Sequence, residues 1–357
     1  MSSFDIKSLD PHVMTSSRFL EIVVPTYNRA SILHSTLREL SASVHSQSEF
    51  ISLRVIDNCS TDTTSSVIGH FVDRGLLTAQ QNEENIGLIR NIAKCIATSS
   101  AEWVWVFGDD DHILLHCLPR LIKTLQALPH EVVFARGLTA KLNADGRLVG
   151  VSRPDAATRA AEPVSIYDNG LDITAKGNIH ALAFISTLFI RPRFWNQNYH
   201  DSIYQATDLY TFVLALLHES AHRKTADLNF HVVAATDRGD RSYYTVNMCV
   251  ARLTEYTNFE RLVHAEVCRR RAWWLLRKGR KGLLKLRIAS CFKLIAYRDD
   301  YRVRGKDPIA FLRSYSSPYW TDQWVVRLLG GLAMIPGVKS IFKYVYDGLR
   351  ESHERRN

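Results

Sequence analysis

The chain has 357 residues, 46% of them hydrophobic and 23% charged, with 45 Lys and Arg against 36 Asp and Glu. That length and balance exclude a disordered, collagen-like or disulfide-scaffold class and fit two or three globular domains, or one large α/β domain with an appendage. The formal charge of +9 suits phosphorylated substrates, nucleic acid or an anionic membrane surface, and carries no information about fold.

The six cysteines are scattered without a Cys-x-x-Cys pair, which argues against a zinc or dithiol centre and for reduced thiols in a cytosolic compartment. Residues 1–18 are polar, lack a secretory apolar region and are expected to be a loose leader. No stretch reaches the roughly 18 unbroken apolar residues of a membrane span. The nearest, Trp324 to Val338, is interrupted by Arg327 and Pro336.

In chain order, Phe19 to Val24 reads as a strand stopped by Pro25, followed by the turn Thr26-Tyr27-Asn28-Arg29. Ile32, Leu33, Leu37 and Leu40 then recur at helical spacing. Ser52 to Asp57 is a second strand, ending in the polar loop Asp57 to Asp62, which can cap a helix over residues 63–73. Leu76 to Gln81 is a short third strand, and Gly87 opens a helix through Ile89, Ile92 and Ile96. Trp103 to Phe107 is a fourth strand, apolar on both faces as in a parallel sheet. A helix over residues 116–128 and a fifth strand, Glu131 to Arg136, follow. Alternation of this kind predicts a doubly wound sheet whose ligands bind beyond the carboxyl ends of the strands.

The fourth strand runs into Asp109-Asp110-Asp111. Three adjacent carboxylates repel one another. Either they hold a hard divalent cation, which prefers oxygen ligands, or they form a solvated turn and helix cap. A second acid, Asp57, stands at the end of another strand, and that coincidence favours a ligand site.

Beyond Gly137 a hairpin is expected around Asp145-Gly146. A buried segment follows over Ala181 to Ile190, then a mostly buried helix over residues 202–218 and a strand over Phe230 to Ala235. Residues 252–301 read as helical and heavily cationic, with Trp and Leu between the charges. A last amphipathic helix is expected over residues 330–349.

Val23-Val24-Pro25-Thr26-Tyr27-Asn28-Arg29, Val55 to Asp62, Asn85-Ile86-Gly87 with Arg90-Asn91, and Gly108 to Asp111 together resemble the GT-A glycosyltransferases of family 2 in order and spacing. The resemblance covers about residues 19–245. It implies an α/β fold, a GT-A (doubly wound, Rossmann-like) mixed sheet followed by a helical C-terminal region. The implied organisation is a leader (1–18), a transferase domain (19–245) and a basic helical region (246–357). The transferase domain divides into a nucleotide-sugar part over about 19–136 and an acceptor part over about 137–245.

The resemblance also implies roles. Pro25, Thr26, Tyr27 and Asn28 would line the nucleotide pocket, and Asp57 would accept the imide N–H of uracil or thymine. Gly87, Arg90 and Asn85 would sit near the ribose or base, Asn85 having a helix cap as its alternative. Asp109 and Asp110 would face the donor, and Asp109 with Asp111 would hold Mg²⁺ or Mn²⁺. Gly108 stands where the commoner Asp-x-Asp-Asp pattern has its first acid, so the ligand pair within the tripeptide stays open. Asp208 would be the general base or else a helix cap, with Asp201 as the other candidate base and Asp62 as a cap. Arg238 and Arg241 would clamp the diphosphate or else be solvated loop charges; His180 would touch the acceptor sugar or be structural.

The implied reaction moves a sugar from a nucleoside diphosphate sugar, UDP- or dTDP-type, to an acceptor hydroxyl, with inversion. The cationic C-terminal helices point to a lipid-linked glycan acceptor in bacterial surface-polysaccharide assembly. The expected location is the cytoplasm, with the cationic helices either peripheral on the inner face of the membrane or forming an ordinary bundle with a basic solvated face. The alternatives are a nucleotidyltransferase, whose Gly-rich first loop is missing here, and a nucleic-acid-binding protein, for which no recognition motif is present.

Overall fold

The computed structural model describes residues 19–143, 147–151, 163–170, 182, 184–204, 211–236, 253, 287–296, 307–315 and 320–354. These residues divide into two compact units. One holds the described residues up to Ser202 with Thr211 onward to residue 236, and the other holds those of 203–210 and 238–357.

The first unit begins with four strand–helix repeats: β1 (Leu20–Thr26), α1 (Ala30–His45), β2 (Ile51–Asp57), α2 (Thr64–Val72), β3 (Thr78–Gln81), α3 (Leu88–Ala97), β4 (Trp103–Val106) and, after β5 (Asp111–Ile113), α4 (Leu118–Ala127). Then come β6 (Phe134–Leu142), β7 (Leu148–Val151), β8 (Val164–Tyr167), β9 (Leu188–Ile190), α5 (Gln197–Tyr204), α6 (Thr211–Glu219) and β10 (Thr225–Thr236). The sheet order is β3-β2-β1-β4-β9-β6-β10-β5, with β7 beside β6 and β8 beside β10. β3, β2, β1 and β4 run parallel. β9 is antiparallel to both β4 and β6. The sheet is therefore mixed, as the α/β fold class implies. The fifth strand of the sequence reading is longer than expected and does not adjoin β4, because β9 lies between them.

Strand alternation places the core. Leu20, Ile22 and Val24 share one buried cluster with Leu33, Leu37 and Leu40 of α1 and with Trp103 and Trp105 of β4. Val23 is also fully buried, and α3 packs against β1 and β4. Strand β1 thus loses water on both faces, which is why it reads as an unbroken apolar run.

Pro25 does not stop β1; it pairs with Ile56 inside the ladder. Residues 23 and 25 point the same way, and Val23 O accepts from Phe107 N as β4 ends. The ring nitrogen of Pro25 therefore falls beyond the last β4 pair, where no donor is missed. The expected single helix over 330–349 is two, Trp320–Leu332 and Val338–Glu354, separated at Pro336 and Gly337. Most of the cationic 252–301 stretch lies outside the described residues.

The second unit has its own core, where Cys291, Leu294 and Ile295 meet Ile309, Leu312, Val326 and Phe342. Its two last helices also carry apolar side chains on the outside. Of thirteen exposed large apolar side chains among the described residues, eight lie between Trp324 and Val345. Among the described residues no helix is long and apolar enough to cross a membrane.

A forked ion pair fixes β6 to β10. Arg136 donates from Nε to Asp227 Oδ1 at 2.7 Å and from Nη2 to Oδ2 at 2.8 Å, and Tyr167 adds a bond to Oδ2 at 3.1 Å. Both charged side chains are largely buried. Removing one partner strands the other charge, so Arg136→Met should lower the unfolding free energy by about 3 kcal/mol. The double variant Arg136→Met/Asp227→Leu should be less destabilised than the single; urea denaturation checks both.

Candidate active site

Strands β1, β2, β3 and β4 all end at one edge of the sheet, and their loops are tied together there by side chains. Asn28 and Cys59 both adopt left-handed backbone, with φ of 52° and 65°. Such conformations cost of order 1 kcal/mol or more and persist where surrounding bonds fix them. Around Asn28 those bonds are visible. Its N–H donates to Ser60 Oγ at 2.9 Å, and its Oδ1 accepts from Thr61 N at 2.8 Å. Asp62 caps as expected, accepting from Thr64 N at 2.9 Å, and also takes Ala30 N at 3.4 Å, so it holds the starts of both α1 and α2. Hydrogen bonds from Thr64 hold its carboxyl below the usual range.

Behind these loops lies a carboxamide network that the sequence reading did not find. Asn58, Asn82 and Asn91 are buried. Asn82 Nδ2 donates to Asn58 Oδ1 and to Asn91 Oδ1, both at 2.9 Å. Lys94 Nζ donates to Asn82 Oδ1 at 2.8 Å, and Asn91 Nδ2 to Ile56 O at 3.2 Å. Asn58 reaches the next loop through Ile86 N, at 3.0 Å, and through its own Nδ2 to Asn85 Oδ1, at 2.8 Å. Asn85 Oδ1 also accepts from Gly87 N at 2.9 Å. Asn85 thus acts as a loop-shaping acceptor before α3. Gly87 has φ 84° and ψ 156°, a region open in practice only to glycine. Arg90 follows, exposed, on the first turn of α3.

Asp57 is also buried, and its two oxygens already accept four bonds. Oδ1 takes Ser60 N and Ser60 Oγ, at 3.1 and 2.5 Å. Oδ2 takes Ser65 Oγ and Gln81 Nε2, at 3.3 and 2.9 Å. As placed, Asp57 organises its loop instead of offering a lone pair to a base.

The acidic tripeptide is divided by burial. The Asp109 side chain is 12% exposed, accepts from Thr26 Oγ1 at 2.9 Å and lies 4.0 Å from Arg29 Nε. Thr36 of α1 holds its carbonyl at 2.8 Å. Asp110 is half-buried. Asp111 turns inward, 6% exposed, and accepts from Ser186 Oγ at 2.5 Å, while Ser186 Oγ accepts from Gly108 N at 2.9 Å. Glycine is required at 108 because a Cβ there would lie 2.6 Å from Asp111 Oδ2. Asp111 is turned toward Ser186, whereas Asp109 keeps 12% of its side chain exposed and Asp110 is intermediate. Among the described residues no three metal-ligating side chains cluster. Two carboxylates completed by substrate phosphate oxygens suit Mg²⁺ or Mn²⁺, whereas an all-protein cage does not form.

Thr26, Tyr27, Asn28, Asp57, Asn85, Gly87, Arg90, Asp109 and Asp110 therefore all lie at or beside these strand ends, with Pro25 one residue inside β1. Tyr27 exposes 40% of its surface there. Asp201 sits on α5, bonded to Gln197 Nε2 at 2.8 Å and His200 Nδ1 at 3.1 Å. Asp208, Arg238, Arg241 and His180 lie outside the described residues. The sequence reading missed Thr36, Ser186 and the inward turn of Asp111; residues 73 and 75 positions apart make these contacts, and no local signal marks them.

Burial pushes the Asp111 carboxyl from 3.8 up to about 7, against the opposing bond from Ser186. The folded chain then holds a proton between pH 4 and 7 that the unfolded chain has released, so stability present below about pH 4 is lost as pH rises to about 7. In EDTA, the stability of wild type relative to Asp111→Asn should fall over that range by about 3 kcal/mol. Urea titrations at both ends of the range measure it, and a pH-independent difference would contradict the inward placement.

Residues 21–151 match the sequence model of the family described as Glycosyl transferase family 2. The chain is 24% identical over 201 residues to "Abequosyltransferase RfbV" of Salmonella typhimurium, a match covering 53% of this chain and 57% of that protein. It is similar in structure to S. aureus TarS 1-349 in complex with UDP-GlcNAc, with TM-score 0.47, 16% identity and coverage of 93% and 92% of the two chains. The mannosyltransferase PcManGT from Pyrobaculum calidifontis, in complex with GDP-Man and Mn2+, gives TM-score 0.45, 13% identity and coverage of 89% and 87%. The strand-end loops described above fall within the stretch, residues 21–151, that matches the glycosyl transferase family 2 model.

Proposed function

We propose that the protein is a metal-dependent glycosyltransferase that moves a sugar from a nucleoside diphosphate sugar to an acceptor hydroxyl, with inversion. The observation that carries this reading is the meeting of the β1 and β4 strand-end loops at Asp109, bonded by Thr26 and close to Arg29, inside the stretch that matches the family model. Strand order reverses between β1 and β4, where open α/β sheets bind ligands, and Thr26 bridges that point to Asp109 at 2.9 Å. The transferase domain spans about residues 19–245, with a basic helical region after it.

Asp109 and Asp110 would hold Mg²⁺ or Mn²⁺, which would offset charge on the leaving diphosphate. Thr26, Thr36 and Arg29 fix Asp109 in advance, so little reorganisation is needed as that charge develops. Asp208 is proposed to take the acceptor proton and Arg238 and Arg241 to clamp the diphosphate, as their matching motif positions imply. UDP- or dTDP-type donors are favoured.

The acceptor is proposed to be a lipid-linked glycan of bacterial surface-polysaccharide biosynthesis, with the protein cytoplasmic and peripheral on the membrane. Residues 238–357 hold 25 of the 45 Lys and Arg but 11 of the 36 Asp and Glu. The same region exposes Trp324, Leu328, Leu332, Ile335, Ile341 and Tyr344. Cationic charge with outward apolar and aromatic side chains is the composition of an interfacial element on anionic lipid.

Asp109→Asn and Asp110→Asn should each cut Mn²⁺-dependent release of nucleoside diphosphate from a nucleotide-sugar panel by about 100-fold or more, with circular dichroism unchanged. Full activity in both variants would remove the metal reading, and pyrophosphate chemistry would favour a nucleotidyltransferase. Sedimentation with anionic vesicles should be strong at low salt and weaker in Trp324→Asp/Ile341→Asp; absence of binding at low salt would remove the membrane reading.

A further inference from the structure

We propose that the cavity between the start of α5 and the end of α6 is a second ligand site, which holds an acidic sugar residue through Arg193 and Arg223. Its use for a glycan chain rests on the transferase reading above, whereas the binding itself stands on the residues of the cavity.

The cavity has a volume of about 360 Å³, and its lining includes Arg193, Phe194, Trp195, Asn196, Asn198 and Arg223. That is the size of a small-ligand cleft. It lies away from the strand-end crevice. Strand β9 runs antiparallel to β4, so the chain leaving Ile190 emerges where β4 begins. Arg191 marks that edge, 3.3 Å from Glu102 and stacked over Trp103. Asp109 and Asp110 follow the other end of β4. At about 3.3 Å per residue, β4 alone separates the two edges by roughly 10 Å, and the cavity and the two acids lie beyond it on opposite sides.

Two guanidinium groups are held in this cavity by one ring. Arg193 and Arg223 both lie over Phe194, 4.8 and 5.0 Å from its centre. Arg193 Nη2 donates to His130 O. Arg223 Nη1 donates to Glu219 O at 3.1 Å and to Glu219 Oε2 at 3.0 Å. A guanidinium carries five N–H donors, so each arginine keeps donors that meet no described residue. Glu219 answers the charge of Arg223, while Arg193 forms no ion pair with a described residue. The cavity therefore presents one net positive charge and forked donors, which fit a small oxyanion.

The other walls narrow the ligand. Asn196 and Asn198 are exposed. The Asn196 side-chain oxygen is taken by Tyr199 N at 3.0 Å, which leaves its amino group to donate. Trp195 is half-buried, and its indole N–H is tied to Gln197 Oε1 at 2.9 Å, so the ring is fixed. Carboxamides suit hydroxyl groups, and an aromatic wall suits the C–H face of a pyranose. Free phosphate has no use for either. A phosphate monoester also carries a charge of about −1.5 to −2, more than the single cation here balances. A pyranose bearing one carboxylate, of the uronic acid type, uses the arginines, the carboxamides and the indole together.

The test is calorimetric titration of trigalacturonic acid, maltotriose and inorganic phosphate into the full chain, as wild type, Arg193→Gln/Arg223→Gln, Asn198→Ala and Asp109→Asn. Wild type should bind trigalacturonic acid at least about 10-fold more tightly than maltotriose or phosphate, the value of a charged hydrogen bond. The double arginine variant should lose about 10-fold or more of that affinity and Asn198→Ala about threefold, with Asp109→Asn within about twofold of wild type. Equal binding of the acidic and neutral trisaccharides by wild type overturns the inference. So does phosphate that matches trigalacturonic acid, or unchanged affinity in the double arginine variant. Loss of binding in Asp109→Asn puts the sugar in the strand-end crevice and overturns it as well. UDP with Mn²⁺, titrated into the same proteins, reports on folding and on the donor reading. If the double variant loses UDP too, Asn198→Ala decides, and unchanged affinity for trigalacturonic acid there overturns the inference. If UDP binds neither wild type nor variant, the donor reading fails, while arginine-dependent binding of trigalacturonic acid still supports the cavity.

Discussion

The candidate site depends on how the parallel strands end. A parallel ladder leaves its last backbone groups at the sheet edge without partners, and buried groups of that kind must find donors or acceptors. Here part of the ladder is continued by main chain, as in Asn58 N to Thr26 O at 2.9 Å and Asn82 N to Asp57 O at 2.8 Å. The rest is met by side chains of the loops themselves, mostly Asn, Ser and Thr. The same bonds that satisfy the strand ends therefore also position the crevice. Asn58 shows this directly: its backbone extends the β1–β2 pairing while its carboxamide joins Asn82, Asn85 and Ile86.

That constraint sorts the acids. Asp57 sits where donors converge from two loops and a helix, so its lone pairs are consumed, and Asp111 is drawn inside toward Ser186. Asp109 keeps 12% of its side chain exposed, held from the side by Thr26, and Asp110 is intermediate. Like charges in one short loop cannot all be buried together, and turning Asp111 toward Ser186 removes one of them from the cluster. The result is a pair of carboxylates facing the crevice and a third that shapes the turn beneath Gly108.

The second unit follows a different logic. Its last two helices each bury one side, through Val326 in the first and Phe342 in the second, and present other apolar side chains to the outside. Exposed apolar area of this kind is costly unless something covers it.

The sequence by itself determined the repeating strand–helix pattern, the polar character of every strand end and the candidate position of the site. Buried parallel strands such as Val104 to Val106 are recognisable from composition, and Pro, Gly and Asp mark where such strands give way to loops. It also determined the charge contrast between the C-terminal region and the rest. Only the tertiary structure decided the insertion of β9 between β4 and β6, the continuation of β1 through Pro25 and the division of labour among Asp57, Asp109, Asp110 and Asp111. The physical reason is the same in each case. Those outcomes turn on contacts such as Ser186 to Asp111 and Gln81 to Asp57, made between side chains far apart in the chain, and local spacing holds no record of which donor a carboxylate will meet.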